Sequence, residues 1–446
     1  MESVTEFVGS TYSLKDLANR DYLESEYLYR NRKKFTVEGI SLPNCEDVRN
    51  EAEYAIANQY VQESEADPSR PRHLVLANEY PSDSNHYANG FVHRRVALLK
   101  KRGLEVDVVA FGKRLPRTIY NYNGIRVLSG YSNELAGLLA SRSYSSLNVH
   151  FLNSEMWNVL KGNIPKGTVF NVFVHGYEVR NWSRMPDDIV LKENLDARIE
   201  RSLRQRDVWS ELVGPAGGVN NFVFVSQWWK RAAEEDLRLT FPKGKSVVIH
   251  NVIDTELFEW APKDPQQRFK LLWIRNAKSL NYGADLAAAL LRRLRTSRWW
   301  PLLEVTIIGD GEHFSQFDEF VDEPNVIVRR GFISQEEIAS QHKKHGIFLV
   351  PSRFDTQGVS RDEAMSSGLV PVTCPVAAVP EFVDDNCAIL GSESDMAAWF
   401  ERLESVLKDP QLFLDMSENA ARRVRSLSSP EMTVEREAKV MEGSNE

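Results

Sequence analysis

The sequence predicts an α/β protein built from two consecutive domains with parallel sheets, preceded by a helical extension. Two observations carry this. From His73, the apolar strand "HLVLA" is followed by the helix-patterned "FVHRRVALLKKRG" and a second strand "EVDVVAF", a strand-helix-strand unit that implies parallel pairing. From Phe269 the same alternation starts again, with "KLLWIRNAK", "YGADLAAALLRRLR" and "LEVTIIGDG". Two such units in tandem place a cleft where the C-terminal ends of their strands face each other, and ligands bind at such ends.

The elements follow in order. Residues 1–71 read as the helical N-terminal extension: one helix opens near a Ser13 cap, and a second runs through "EDVRNEAEYAIANQYVQESEA". There Val48, Ala52, Ile56 and Tyr60 recur every four residues and want an apolar partner, on this chain or a second copy. Between the helices, Arg30, Arg32, Lys33 and Lys34 form a solvated face or a contact with anionic lipid. The polar, proline-bearing "ADPSRPR" ends the extension. Residues 72–255 form the first sheet domain, with further strands at "NVHFL", "VFNVFVHG", "NNFVFVS" and "SVVIHN". Residues 256–425 form the second, adding "NVIVRRGF", the helix "SQEEIASQHKKH", "GIFLVPS" and "LVPVTCP"; residues 426–446 read as a polar helical tail.

Composition narrows the function. At 446 residues, with 42% apolar and 26% charged side chains, the chain is a multi-domain globular protein. A formal net charge of −8 argues against a general nucleic-acid binder. The extension holds 14 acidic against 8 basic side chains, so the remainder is nearly neutral. The start "MESVTEFVGSTYS" predicts no signal peptide, no stretch is apolar enough to span a membrane, and Cys45, Cys374 and Cys387 share no metal-ligand spacing. A cytoplasmic protein is expected, with a peripheral contact at the inner membrane face and a homo-oligomer both left open.

Several chemistries lack their residues. No G-x-G-x-x-G stands at either first strand-to-helix turn, as a nicotinamide enzyme needs. No H-E-x-x-H, CxxC or G-x-S-x-G is present, so neither a metal nor a serine-hydrolase elbow is expected. Cations suited to an anion are present. Arg275 and Lys278 stand three residues apart after the strand "LLWI", a guanidinium fork and a point charge that suit a diphosphate, or simply two surface cations. In "PSRFDTQGVSRDEAMSSGLVPV", Gly358 opens a helix whose first N–H groups form a second anion site. Asp355 and Glu363 bracket that glycine. A local explanation competes, because Ser360 and Glu363 have the S-x-x-E spacing of a capping box. His175 ends the apolar "VFNVFV", as a functional group or as a satisfied core histidine.

The segment "PSRFDTQGVSRDEAMSSGLVPVTCPVAAVPEFV" resembles the E-x7-E region of glycosyltransferase family 4, the retaining enzymes of GT-B fold, in which two Rossmann-like domains face a cleft. "VVIHNVIDTELF" is similar to that family's interdomain segment, and "VTIIGDGEH" and "NVIVRRGFISQEEIASQHKKHGIFLVPS" match its donor-side strands in order. The resemblance covers about residues 73–440 and is looser in the first half, where "ANGFVHRRVALLKKRG" and "FVHGYEVRNWSRM" look like bacterial surface-polysaccharide enzymes. Two departures stand out: Asp355 replaces the first glutamate, and the arginine-to-lysine spacing is three rather than five.

What the resemblance implies is a nucleoside diphosphate sugar donor, a glycan or lipid-linked glycan acceptor, and no metal or other cofactor. Arg275 and Lys278 would neutralise the diphosphate, Glu363 would take the ribose hydroxyls and Asp355 the donor sugar. Backbone of Gly358, Val359 and Ser360 would hold sugar and phosphate, and Arg330, Gly331 and Phe332 would border the base. From the first domain, Gly90 would face the diphosphate and His175 the reaction centre, with Glu178, Trp182 and Arg184 on the acceptor side. The alternatives are an epimerase or phosphorylase of the same fold, or a non-catalytic partner protein that binds nucleotide sugars.

Overall fold

The computed structural model describes residues 45–63, 70–83, 85, 88–184 and 194–443. The first predicted helix and the run Arg30, Arg32, Lys33, Lys34 lie outside these residues. The first domain comprises α1 (Cys45–Gln62), β1 (Arg72–Ala77), α2 (Gly90–Lys101), β2 (Glu105–Phe111), β3 (Thr118–Tyr122), β4 (Ile125–Gly130), α3 (Ser132–Ser141), β5 (Ser146–His150), α4 (Ser154–Asn163), β6 (Val169–Val174), α5 (Leu195–Val213), β7 (Asn221–Phe224), α6 (Gln227–Leu237) and β8 (Ser246–Val248). The second comprises β9 (Lys270–Asn276), α7 (Ala284–Arg295), β10 (Glu304–Asp310), β11 (Val326–Arg330), α8 (Gln335–Lys344), β12 (Ile347–Leu349), α9 (Val359–Ser366), β13 (Val370–Thr373), α10 (Val379–Phe382), β14 (Ile389–Leu390), α11 (Met396–Lys408) and α12 (Pro410–Ser428), followed by α13 (Pro430–Met441).

The first sheet runs β3-β4-β2-β1-β5-β6-β7-β8 and the second β11-β10-β9-β12-β13-β14. Both are parallel apart from one pairing, β3 with β4. That hairpin departs from the expected all-parallel pattern, and its cause is local. Asn123 and Gly124 both adopt positive φ, 47° and 77°, which a two-residue hairpin turn requires and which asparagine and glycine tolerate. The near-continuous apolar runs of the other strands follow from burial on both faces: β2 is buried from its second residue onward. A second sheet-spanning feature is polar: Asn148, Asn171 and Asn221 link β5, β6 and β7 through side-chain amides at 3.0 and 2.9 Å.

The helix α1 is part of the first domain's core. Ala57 and Tyr60 are buried among residues of the sheet and α3, and Ile56 packs on the same cluster, so the Ile56–Tyr60 half of the predicted apolar stripe finds its partner on its own chain; the side chains of Val48 and Ala52 lie outside those described. The Tyr60 hydroxyl donates to the Arg126 carbonyl at 3.1 Å and accepts from the Val108 N–H at 3.2 Å, joining α1 to β2 and β4. Replacing Tyr60 with phenylalanine leaves both backbone groups unpaired, and a loss of about 1–3 kcal/mol is expected in chemical denaturation. No measurable loss would show that this hydroxyl does not tie α1 to the sheet.

The chain crosses between domains twice, and the two crossings touch: the Ile253 N–H donates to the Ser428 carbonyl at 2.8 Å. Beyond the second crossing, Pro430 at the first turn starts a new helix, as proline does well. That helix, α13, is not a free tail. Val434, Ala438 and Met441 are buried against Val75, Val92 and Val108 of the first domain.

Candidate functional site

In parallel units the loops after the strands gather on one edge, and here both sets of loops face the interdomain cleft. The loop after β12 lies against the first domain. The Thr356 hydroxyl donates to the His175 carbonyl at 2.7 Å, and the Ser226 hydroxyl donates to the Thr356 carbonyl at 2.7 Å. The Gln357 amide accepts from the Asn251 N–H at 2.6 Å and donates to the Asn251 carbonyl at 3.1 Å. These four bonds strap the loop across the domain boundary.

Gly358 ends the strap at φ 106°, and a Cβ there would lie 2.9 Å from the Arg361 guanidinium, so the turn needs glycine. It is also the N-cap of α9, with no side-chain cap. The capping box that the Ser360–Glu363 spacing offered as a competing local explanation is therefore not formed; Ser360 already sits inside the first turn. Glu363 makes a different contact. It is buried at 4% exposure, and its carboxylate pairs with Arg94 of α2, which also donates to Gln335 at 3.1 Å. Burial pushes the Glu363 carboxyl up, and the Arg94 guanidinium works against that shift.

Arg275 is the last but one residue of β9, with its side chain buried. Its Nη2 is 3.9 Å from Asp355, its Nη1 is buried without a hydrogen-bond partner among the described residues, and its guanidinium lies 5.0 Å from the centre of the Tyr282 ring. Burial lowers its pKa, and Asp355 opposes this. Asp355 also accepts from the Gln357 N–H at 3.2 Å. Lys278, by contrast, is exposed, and its backbone N–H donates to the Asn276 side chain at 2.8 Å. Arg275, Asp355, Gly358 and Glu363 thus come together, and Lys278 makes no side-chain hydrogen bond or ion pair with them among the described residues. Val359 is half-buried and packs on an apolar cluster of the second domain.

At the end of β11, Arg330 is exposed, pairs with Asp310 at 3.2 Å and lies over Phe314. Gly331 has φ 132° with open space where a Cβ would sit, and Phe332 is 44% exposed. Gly90 opens α2 and likewise faces open space.

His175 is buried between Phe91, Phe151 and His150. The His150 Nδ1 and His175 Nε2 lie 2.8 Å apart, while the His175 Nδ1 has no partner among the described residues. Burial pushes both imidazoles well below the ordinary histidine value, so both are neutral and one ring nitrogen donates to the other. The Glu178 carboxylate accepts from the N–H groups of His175 and Gly176. Burial pushes its carboxyl up to about 7, against these bonds, which favour the anion. Its carboxylate is thus turned onto the His175 loop. Trp182 lies under the Arg198 guanidinium, and Arg184 is paired with Glu235 and Asp236, so both make their contacts inside the first domain. Among the described residues no three metal-ligating side chains gather, and no helix is long and apolar enough to cross a membrane.

Sequence reasoning missed Arg94 and Arg180. Their charges were visible, but only the fold brings them across the cleft.

Residues 268–409 match the family model described as "Glycosyl transferases group 1". This segment contains the second-domain candidates, from Arg275 to Glu363, and leaves out Gly90 and the other candidates of the first domain. Over 173 residues the chain is 25% identical to the MMP alpha-(1->4)-mannosyltransferase of Mycolicibacterium hassiacum, covering 38% of this chain and 42% of the relative. The chain spans about two fifths of the length of the curated relatives it matches. Among solved structures, it is similar to sucrose-phosphate synthase from Thermosynechococcus elongatus, with TM-score 0.62 and 15% identity over 83% of this chain and 98% of that one. It is also similar to Anabaena HepE, solved in complex with UDP and glucose, with TM-score 0.59 and 12% identity over 83% of this chain and 99% of that one. The architecture is GT-B.

Proposed function

We propose that the protein is a retaining glycosyltransferase that moves a sugar from a nucleoside diphosphate sugar to a hydroxyl of a glycan or lipid-linked glycan, in surface polysaccharide synthesis. The observation that carries this reading is the convergence of Arg275, Asp355 and Glu363 around the glycine-capped start of α9, on the wall of the cleft that matches a glycosyltransferase model.

Departure of the diphosphate creates anionic charge beside an oxocarbenium-like sugar, and stabilising that charge is the main task. A buried guanidinium with an unused donor and a helix N-terminus can do this without a metal. Glu363 takes the ribose hydroxyls, sharing its carboxylate with Arg94, and Asp355 takes the donor sugar. Gly90 and backbone of Gly358, Val359 and Ser360 line the phosphate and sugar, and Arg330 to Phe332 border the base. Neutral His175 offers a hydrogen bond at the reaction centre, and its Nδ1, without a partner among the described residues, supports this role. We assign no nucleophile; the leaving phosphate accepts the proton of the incoming hydroxyl as it attacks from the same face.

A thermal-shift screen of nucleotide sugars is the test, since a donor at 100 times its Kd stabilises by about 2.7 kcal/mol. The donor so found should be consumed only when an acceptor is added; an altered sugar released without acceptor would point to an epimerase instead. Turnover in excess EDTA is expected to equal turnover with magnesium or manganese. Activity lost in EDTA and restored by manganese would overturn the metal-free mechanism.

A further inference from the structure

We propose that Arg180, carried by the first domain, is the second cation of the donor's diphosphate site, facing Arg275 from the opposite wall. This rests on the glycosyl-transfer reading and names a residue that reading does not use.

Arg180 sits in the tight turn after β6, its N–H donating to the Gly176 carbonyl at 3.1 Å. Its side chain leaves the first domain: the guanidinium lies 4.9 Å from the centre of the Phe354 ring, the residue before Asp355. The Nε is buried with no hydrogen-bond partner, and among the described residues no carboxylate forms an ion pair with this guanidinium. Arg184, four residues on, shows what a structural arginine of the same loop looks like, since it is saturated by Glu235 and Asp236. Arg94 differs in having a carboxylate, Glu363, although its Nε too is buried without a hydrogen-bond partner among the described residues.

Removing a cation from water without giving it an anion costs free energy, and an unsatisfied buried donor needs an explanation. Arg180 and Arg275 stand here on opposite walls, each with a buried N–H group unused among the described residues; Arg180 has no ion pair there and Arg275 only a long one, 3.9 Å to Asp355. On the Arg275 side the Tyr282 ring lies under the guanidinium, 5.0 Å from ring centre to Cζ, and on the Arg180 side Phe354 plays the same part at 4.9 Å. A single ligand that satisfies both must carry several negative oxygens and reach from one domain to the other. A diphosphate does so, and each guanidinium fork matches two of its oxygens. Binding would also hold the two domains together around the donor.

Calorimetric titration of the full chain with UDP and UMP, and with GDP, GMP, ADP and AMP, tests this. The unmodified protein is expected to bind one diphosphate more tightly than its monophosphate. Arg180→Gln should weaken that diphosphate by about tenfold or more and leave the monophosphate within about twofold, as loss of a charge-assisted bond to the outer phosphate requires. Arg180→Lys should recover part of the loss, and Lys278→Gln should change affinity less than Arg180→Gln. The proposal falls if Arg180→Gln leaves the diphosphate unaffected, or weakens diphosphate and monophosphate equally, as a purely packing role over Phe354 would. It also falls if the variant raises only the acceptor's KM, which would assign Arg180 to an anionic acceptor. If the unmodified protein binds no nucleoside diphosphate, the glycosyl-transfer reading fails and this inference with it.

Discussion

Arg275→Gln is expected to lower kcat/KM by about two to three orders of magnitude while leaving the melting temperature unchanged or slightly higher, because removing one well-placed transition-state donor costs about that much. The thermal half of this expectation comes from the structure. Arg275 is buried, its nearest carboxylate is 3.9 Å away, and its Nη1 has no partner among the described residues. A cation in that setting gives the fold little, since desolvation outweighs a single long ion pair. Its value must lie in what it binds. Glutamine keeps most of the side chain's volume and one amide donor, so the packing on Tyr282 is largely preserved. Activity would be measured with the donor found in the nucleotide-sugar screen, and stability by thermal unfolding without ligand. The opposite pattern, a clear drop in melting temperature with kcat/KM intact, would make Arg275 a structural cation and remove the central support for the proposed site.

The same contrast explains how much of the molecule could be read from its residues. Strand and helix periods differ, so the two alternating runs and their parallel sheets were legible, and so was the glycine turn at Gly358. The β3–β4 hairpin is also written locally, in the Asn123–Gly124 pair between "TIYNY" and "IRVLSG", yet a two-residue signal is easily absorbed into a loop. The S-x-x-E spacing at Ser360 pointed the wrong way. Gly358 takes the N-cap position, so Glu363 is free to meet Arg94, which lies 269 residues away in sequence. No local pattern encodes a contact of that range. Arg180 and Arg184 look alike in "EVRNWSR"; only their neighbours in space, Phe354 for one and two carboxylates for the other, tell them apart. The polar helical tail departs from expectation for a related reason. Its charges suggest solvent, but one of them, Glu437, is buried because an arginine waits for it.

That pair carries the second large effect. Arg95 and Glu437 are each 2% exposed, joined Nε to Oε1 at 2.6 Å, and Arg95 also donates to the Asn251 side chain at 2.5 Å. Burial raises the Glu437 carboxyl and Arg95 opposes the rise. Unlike Arg275, Arg95 is matched, and its partner fastens α13 to α2 just beyond the second domain crossing. Glu437→Ala would leave a desolvated guanidinium without its anion, at a cost of about 3–5 kcal/mol. Replacing both partners by apolar residues of similar size, Arg95→Met with Glu437→Leu, should recover most of that loss, because the desolvation of both charges disappears together. Denaturant unfolding of the single and double variants measures this directly. If Glu437→Ala costs under about 1 kcal/mol, within the range of ordinary substitutions, then α13 is not held by this pair and the contact is incidental. If the double variant is as unstable as the single one, the charges themselves, and not their mutual neutralisation, hold the C-terminal helix on the first domain.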